Sequence, residues 1–440
     1  MENKDDHPHG NGNGIHHDEN IVIVGGGIGG LACAVALHKV GLKAVVLEQA
    51  NTLRSGGISI TLWANAFRVL DVLGVGEKFR TMYTNIQEWK IMNASAKPLG
   101  KLVLAECEGG PHDVRAVERQ VLLETFAGEL PEGTIRFNSR VTGIKQSERQ
   151  TGLTEVELQD GTVYSAKVII GFDGQKSVVG SWMGLENAQA VGQVAIRGMA
   201  MIPNGHKLEP NVNYFLGKGT SSAFLPVNTT KAYWFIIKNQ SETGFGDTPP
   251  EQVKEEALQF SKTFQSPDLH FLINNTSVEN LWKGSIRHRL NKTTDHLVKG
   301  NVTVAGDACH PTAPYMGQGG GMALEDAIIL TQKLYHALRE APDTAGSQGA
   351  EVAGEADEER IHQALVEFQH ERYSRTYSIT LKSHQIGQAN NSGWAVMDFY
   401  RDWFLVKKSL NKETFMLPAQ FYVEELPGNS IVSSVKNTLY

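Results

Sequence analysis

Residues 20–49 read NIVIVGGGIGGLACAVALHKVGLKAVVLEQ. The first five residues form a short β-branched run of the kind buried in parallel sheets. Gly25, Gly27 and Gly30 match G-x-G-x-x-G, with Ile28 and Gly29 between the last two. Residues 31–40 are rich in Ala and Leu and read as a helix that Gly41 stops. Residues 43–47 read as a second strand, ending at Glu48. Each piece has a mechanical task. Gly25 makes a tight turn, Gly27 lets the backbone approach a pyrophosphate, and Gly30 lets helix and strand pack closely. The helix N-terminus offers unpaired N–H groups and the positive end of its dipole to phosphates. Glu48 stands where a carboxylate accepts the hydroxyls of an adenosine ribose. Glycines alone are weak evidence. Strand, turn, helix, strand and acid in this order point to a dinucleotide-binding βαβ unit.

The rest of the chain bounds that reading. Its 440 residues are 41% apolar and 20% charged, which fits a folded protein of two or three domains. A net charge of −7 without a basic stripe argues against nucleic-acid binding. No window is apolar for long enough to make a transmembrane helix. Cys33, Cys107 and Cys309 are too few and too scattered for a disulfide framework or a metal quartet. No metal is expected, and a reducing compartment is. Residues 1–19 are Gly, Asn, His and acid without an apolar stretch, and are expected to be a disordered tail rather than a targeting segment. With no retrieval signal at the C-terminal Thr-Leu-Tyr, the expected location is cytoplasmic.

After Glu48 the regular alternation of strand and helix breaks off. Two further strands of the parallel type come much later, at 167–171 and 301–305, each running into glycine and acid. That is the edge at which α/β sheets bind ligands. Three motifs carry a resemblance. They are GGGIGGLACAVALHKVGLKAVVLEQ (25–49), VIIGFDGQKSVVG (168–180) and VTVAGDACHPTAPYMGQGGGMALEDAIIL (302–330), with AVERQVLL (116–123) as a weaker fourth. Together they resemble the FAD-dependent aromatic hydroxylases, the single-component flavoprotein monooxygenases of the para-hydroxybenzoate hydroxylase type. Within these, the chain is most similar to the plant branch of salicylate-hydroxylase-like and zeaxanthin-epoxidase-like proteins. The resemblance runs from about residue 20 to 390.

It implies an α/β fold: a Rossmann-like FAD-binding domain with an inserted antiparallel-sheet substrate domain and C-terminal helices. The implied cofactor is FAD, with NAD(P)H as a transient co-substrate. The implied reaction passes oxygen from O2 to an aromatic ring or alkene through a flavin C4a-hydroperoxide. Gly25, Gly27 and Gly30 would hold the pyrophosphate, with Ile28 and Gly29 in the same turn, and Glu48 the ribose. Arg119 would contact phosphate and ribitol, and Asp173 with Gly174 would brace the pyrophosphate region. Asp307 would bind ribityl or pyrophosphate hydroxyls. Pro314, Gly317, Gly319, Gly320, Gly321 and Met322 would border the isoalloxazine ring. The chain departs from the pattern at Phe172 (usually alanine), Gly180 (often arginine) and Gly321 (commonly asparagine). A flavin dehydrogenase or reductase without oxygen insertion, or a non-catalytic flavin-binding homologue, is the alternative.

The expected division is an FAD-binding part at 20–190, a substrate sheet at 191–290 and a return segment at 291–340. A mobile acidic loop at 341–358 and a helical region at 359–440 complete it. The sheet is expected to roof a substrate cavity lined by Arg197, Tyr214, Phe224, Phe235 and Tyr315. His310 and Arg197 are candidate catalytic residues, His310 being better suited to holding its own loop. The long helix from 359 is expected to break near Gly387. Residues 394–408 place Val396, Phe399, Tyr400, Trp403 and Phe404 at helical spacing. That face is expected to dock on its own domain, with a membrane surface or an active-site cap as alternatives. Whether the chain is a monomer or a dimer is left open.

Overall fold

The computed structural model describes residues 15–53, 58–240, 248–339 and 349–427. Its central feature is a sheet of eight strands among the described residues. Strands Ile135–Arg136, Ala44–Leu47, His16–Val24, Val163–Gly171 and Val302–Val304 lie parallel in that order. Alternate side chains explain the unbroken apolar runs. Ile21, Ile23, Val46, Val168 and Ile170 face a core built with the helix Ile28–Lys39. Val22, Val24, Val45, Leu47 and Ile169 face a second core on the other side. Both faces are covered, as parallel sheets require.

The chain steps from His16–Val24 to Ala44–Leu47 on one side, then returns to Val163–Gly171 on the other. This reversal opens a crevice at the carboxyl ends of the two central strands. Gly25 and Phe172–Asp173 sit at its lip.

A second sheet has seven strands among the described residues, and Gln189–Met201, Asn211–Leu216, Thr220–Pro226, Lys231–Asn239 and Leu281–His288 supply five. The other two, Glu88–Asn93 and Pro98–Val103, come from within 20–190, and Glu88–Asn93 pairs in parallel with Asn211–Leu216. A sheet recruiting a distant parallel strand leaves no local trace in the sequence. One face packs on the helices Pro250–Ser261 and Pro267–Asn274 through Ile196, Phe215, Phe224 and Trp234. The other face looks toward the nucleotide crevice.

Four expectations are corrected. The polar tail was placed at 1–19, of which 1–14 lie outside the described residues. The strand already begins at His16, with His16 to Glu19 paired to Val163 to Ala166 and His17 stacked on Tyr164 at 4.8 Å. Backbone pairing holds this half-exposed stretch without an apolar pattern. Of the acidic loop expected at 341–358, residues 341–348 lie outside the described ones, but the helix Gly349–Asn390 has begun by residue 349. It passes Gly387 without a break, because Gly387 makes room for a ring: a Cβ there would overlap the side chain of Tyr315. Finally, residues 395–409 form Ala395–Tyr400, a wider π turn Arg401–Leu405 and Val406–Ser409. Arg401 and Val406 are buried, but Val396, Phe399, Tyr400, Trp403 and Phe404 are exposed rather than docked.

Candidate cofactor and substrate site

The glycine turn is built by contact between backbones. Gly25 has φ +108°, and a Cβ on it would lie 2.5 Å from the Phe172 carbonyl oxygen. A Cβ on Gly30 would overlap the carbonyl of Gly25. Glu48 ties the unit together: its Oε2 accepts the Gly26 N–H and its Oε1 the Ala50 N–H, both at 2.8 Å. Nothing lies within 4 Å of a Cβ placed on Gly27 or Gly174, so both backbones face open space.

Phe172 does not intrude on this cradle. Its ring lies between the first helix and the helix Gly319–Arg339, where Gly29 admits it: a Cβ on Gly29 would come within 2.6 Å of the ring. Gly180 belongs to the short helix Val178–Met183. The space beside Gly321 is taken by the amide of Asn65, 2.8 Å from a Cβ placed there.

Asp173 caps that short helix, accepting from Ser177 Oγ at 2.5 Å and from the N–H groups of Val178 and Val179 at 2.6 and 3.2 Å. Burial raises its pKa above the usual carboxylate range against these bonds. Asp307 is exposed to the cleft, yet the protein crowded around it raises its pKa too, although His310, Arg119, Arg197 and Arg289 all favour its anion. Burial lowers the pKa of Arg119, which feels Asp307, Arg197 and Glu48. One cleft therefore gathers acid and guanidinium from four distant segments. Arg289 was not foreseen: it is buried, donates to the carbonyls of Glu186 at 2.6 Å and Ala308 at 2.5 Å, and feels both Asp173 and Asp307. A single arginine at a strand end carries no motif.

The glycine loop follows. Gly317 has φ +60°, and the buried indole N–H of Trp63, which has no hydrogen-bond partner among the described residues, lies 2.8 Å from a Cβ placed there. A Cβ on Gly319 would be 4.0 Å from Asp307 Oδ1. Pro314 opens a short 3₁₀ turn, and Met322 is buried in the first turn of Gly319–Arg339. His310 Nε2 bonds Asp326 Oδ2 at 2.6 Å, which also accepts the Gly306 N–H at 2.9 Å. His310 thus holds its loop to the following helix.

Strand alternation sorts the cavity candidates. Arg197 pairs with Phe235, and Phe235 with Ala223, which also pairs with Tyr214. Arg197, Tyr214 and Phe235 therefore share the crevice face, with Tyr214 and Phe235 edge to face at 6.1 Å. Tyr315 joins them, donating to Gln193 Oε1 at 2.5 Å and accepting from Asn391 Nδ2 at 2.9 Å. Arg197 stacks on Trp282 at 4.9 Å and makes no hydrogen bond to a described residue. Phe224 is a correction. It points to the opposite face, packs on Phe215 and borders a separate cleft of about 380 Å³ with Lys90, His206 and Asp268. Residues 220–226 are all buried, so no polar alternation marked which way Phe224 faced.

The geometry fits an extended dinucleotide. An open glycine backbone stands at one end. Arg119 lies between, and the Trp63 indole N–H beside a glycine loop stands at the other, neither making a side-chain hydrogen bond to a described residue. Residues 18–360 match the model of the FAD binding domain family, and the chain belongs to that family. It is an FAD-dependent oxidoreductase of the monooxygenase class. It is 34% identical to Monooxygenase 2 of Arabidopsis thaliana over 88% of this chain and 93% of that protein. It is 30% identical to 3-hydroxybenzoate 6-hydroxylase of Klebsiella oxytoca, over 71% of this chain and 79% of that one. Among solved structures, Klebsiella pneumoniae HpxO complexed with FAD and uric acid superposes with a TM-score of 0.73 at 22% identity, covering 89% of this chain and 93% of that one.

Proposed function

We propose that this enzyme uses NAD(P)H and O2 to hydroxylate or epoxidise a small aromatic or alkene-containing metabolite held between the glycine loop and the crevice face of the second sheet. FAD, when bound, supplies the two-electron chemistry that couples NAD(P)H oxidation to oxygen transfer. Gly25, Gly27, Ile28, Gly29 and Gly30 cradle its pyrophosphate, and Glu48 and Arg119 hold the adenosine and ribitol ends. Asp173, Gly174 and Asp307 line the path between. Pro314, Gly317, Gly319, Gly320, Gly321 and Met322 border the ring, where the N-terminus of Gly319–Arg339 favours negative charge.

The observation that carries the substrate reading is Arg197. It is a guanidinium without a carboxylate contact among the described residues, on an otherwise aromatic face. It suits a substrate with an acidic or phenolic oxygen. Tyr214, Phe235 and Tyr315 exclude water around it, which coupled oxygen transfer needs. The three cysteines are free and buried, which suits a reducing compartment such as the cytoplasm.

The test is the purified protein's visible spectrum, followed by NAD(P)H oxidation with a panel of phenols and aromatic acids under ¹⁸O2. A yellow protein whose NAD(P)H oxidation is stimulated by an aromatic and leaves one labelled oxygen in the product supports the reading. A colourless protein that cannot be reconstituted with FAD, or an unlabelled product, overturns it.

A further inference from the structure

Between Trp394 and Phe404 the chain displays aromatic side chains to solvent. Among the described residues, seven of the 15 exposed large apolar side chains fall between Trp394 and Phe404. Trp394 and Val396 are 76% and 80% exposed, and Phe399, Trp403 and Phe404 lie between 57% and 61%. The rings stack at helical spacing, Phe399 on Trp403 at 5.9 Å and Tyr400 on Phe404 at 5.4 Å, so they form one ridge. A ridge of this kind in water marks a contact surface.

Its charges show what it contacts. Both acids of the segment are paired within it to one arginine. Buried Arg401 bonds Asp398 at 2.9 Å and Asp402 at 2.7 Å, and also the carbonyls of Gly217 and Asn390. The rim that remains is basic. Lys407 and Lys408 are exposed, with the Lys407 ammonium 5.3 Å from the Trp403 ring. Lys218 is exposed on the neighbouring hairpin, where Gly219 packs on Gly393. Trp and Tyr with an apolar body and polar tip, beside lysines, suit the boundary between hydrocarbon and anionic headgroups. A self-association face would call for acids opposite these lysines, and this segment's own are tied to Arg401.

We propose that the ridge from Trp394 to Phe404, rimmed by Lys407 and Lys408, docks the enzyme on an anionic lipid bilayer by shallow insertion of its aromatic side chains. The ridge is anchored beside the site. Asn390 bonds the Tyr214 hydroxyl at 3.3 Å, and Asn391 bonds that of Tyr315. Docking would therefore set the wall of the substrate chamber against the bilayer, a consequence that, unlike the docking, rests on the chamber reading above.

The test is co-sedimentation of the FAD-loaded full chain with vesicles of phosphatidylcholine, with and without phosphatidylserine, read without turnover. Wild-type protein should bind the phosphatidylserine vesicles, more strongly at low salt, with its tryptophan emission quenched by brominated lipid. W403A/F404A should lower the partition coefficient roughly tenfold or more. K407E/K408E should weaken binding to anionic vesicles and leave the weak binding to neutral ones unchanged. FAD content and circular dichroism check that each variant is folded, and the lysine variant decides if the aromatic one is not. Absence of binding by wild type, or binding indifferent to both variants, overturns the proposal. So does a dimer in analytical ultracentrifugation that W403A/F404A dissolves while vesicles stay unbound, which assigns the ridge to a second copy.

Discussion

Glu48 is a side chain whose structural task is shown and whose cofactor role is proposed. Its two oxygens hold the N–H groups of Gly26 and Ala50, fixing the glycine turn against the end of the second strand. Each oxygen keeps a lone pair for a ribose hydroxyl. Glu48→Ala removes both bonds, and at about 1.5–3 kcal/mol for a charged hydrogen bond the FAD Kd should rise roughly 10- to 100-fold, read by flavin fluorescence titration. A change below threefold would show that the carboxylate serves the turn alone. Gly387 is a second such residue. Gly387→Ala should drive the Tyr315 ring away, break its bond to Gln193 and cost about 1–3 kcal/mol by overpacking, read as a lower denaturant midpoint. Legibility at this scale depended on whether a residue's task is local. Gly25, Gly30 and Glu48 act within one βαβ unit, so their spacing announced them. Trp63, Arg289 and Asn65 act across long stretches of chain and carried no pattern. Phe224 and Phe235 looked equivalent in sequence, and strand register put them on opposite faces.

Between elements, a buried ionic tie joins the helices Gly319–Arg339 and Gly349–Asn390. Arg372, fully buried, bonds Asp326 at 2.7 Å and Glu325 at 2.6 Å, while Arg375 adds two bonds to Glu325. Burial alone would raise both carboxyls. For Asp326, His310 and Arg372 outweigh it and hold the group well below the usual range, and for Glu325 it is Arg372, Arg375 and Asn65 that do so. Arg372→Met leaves two acids short of a partner, and should cost about 3–5 kcal/mol in chemical denaturation at pH 7. The pH dependence follows from the sign of these shifts. Carboxyls depressed in the folded state add stability in full above their unfolded pKa, near 4, and lose it as pH falls through the lower folded values. Wild-type midpoints should therefore drop steeply below about pH 4. In R372M that acid-side drop should be blunted, because less of this stability is left to lose. An unchanged slope in the variant would mean the tie does not control acid unfolding. The two helices were legible as helices, but not as partners: Glu325 and Asp326 read as ordinary helix residues beside the glycine loop.

At the scale of the molecule, the first βαβ unit and the two later motifs were enough to foresee an α/β cofactor fold. Parallel strands buried on both faces leave long apolar runs, and glycine turns leave fixed spacings. The second sheet was less visible because its strands at Glu88–Asn93 and Pro98–Val103 join it through long-range pairing. That architecture has a thermodynamic consequence. The proposed cofactor contacts come from the turn at Gly25, from Arg119, from Asp173 and from Asp307 to Met322, segments that meet in the fold but lie far apart in the chain. A ligand touching all of them and absent from the unfolded state adds about 2.7 kcal/mol at a hundredfold excess over its Kd. Protein stripped of FAD should melt several degrees lower, and FAD addition should restore the loss in proportion to the logarithm of its concentration. Hydrogen exchange should slow together at the Gly25–Gly30 turn and at the 307–322 loop. The core of Phe215, Trp234 and Phe264, on the far face of the second sheet, should gain little. Protection appearing at the first turn while the 307–322 loop stays as fast as before would mean that the adenosine half binds without the ring half. The extended cofactor pose on which the proposed chemistry depends would then be wrong.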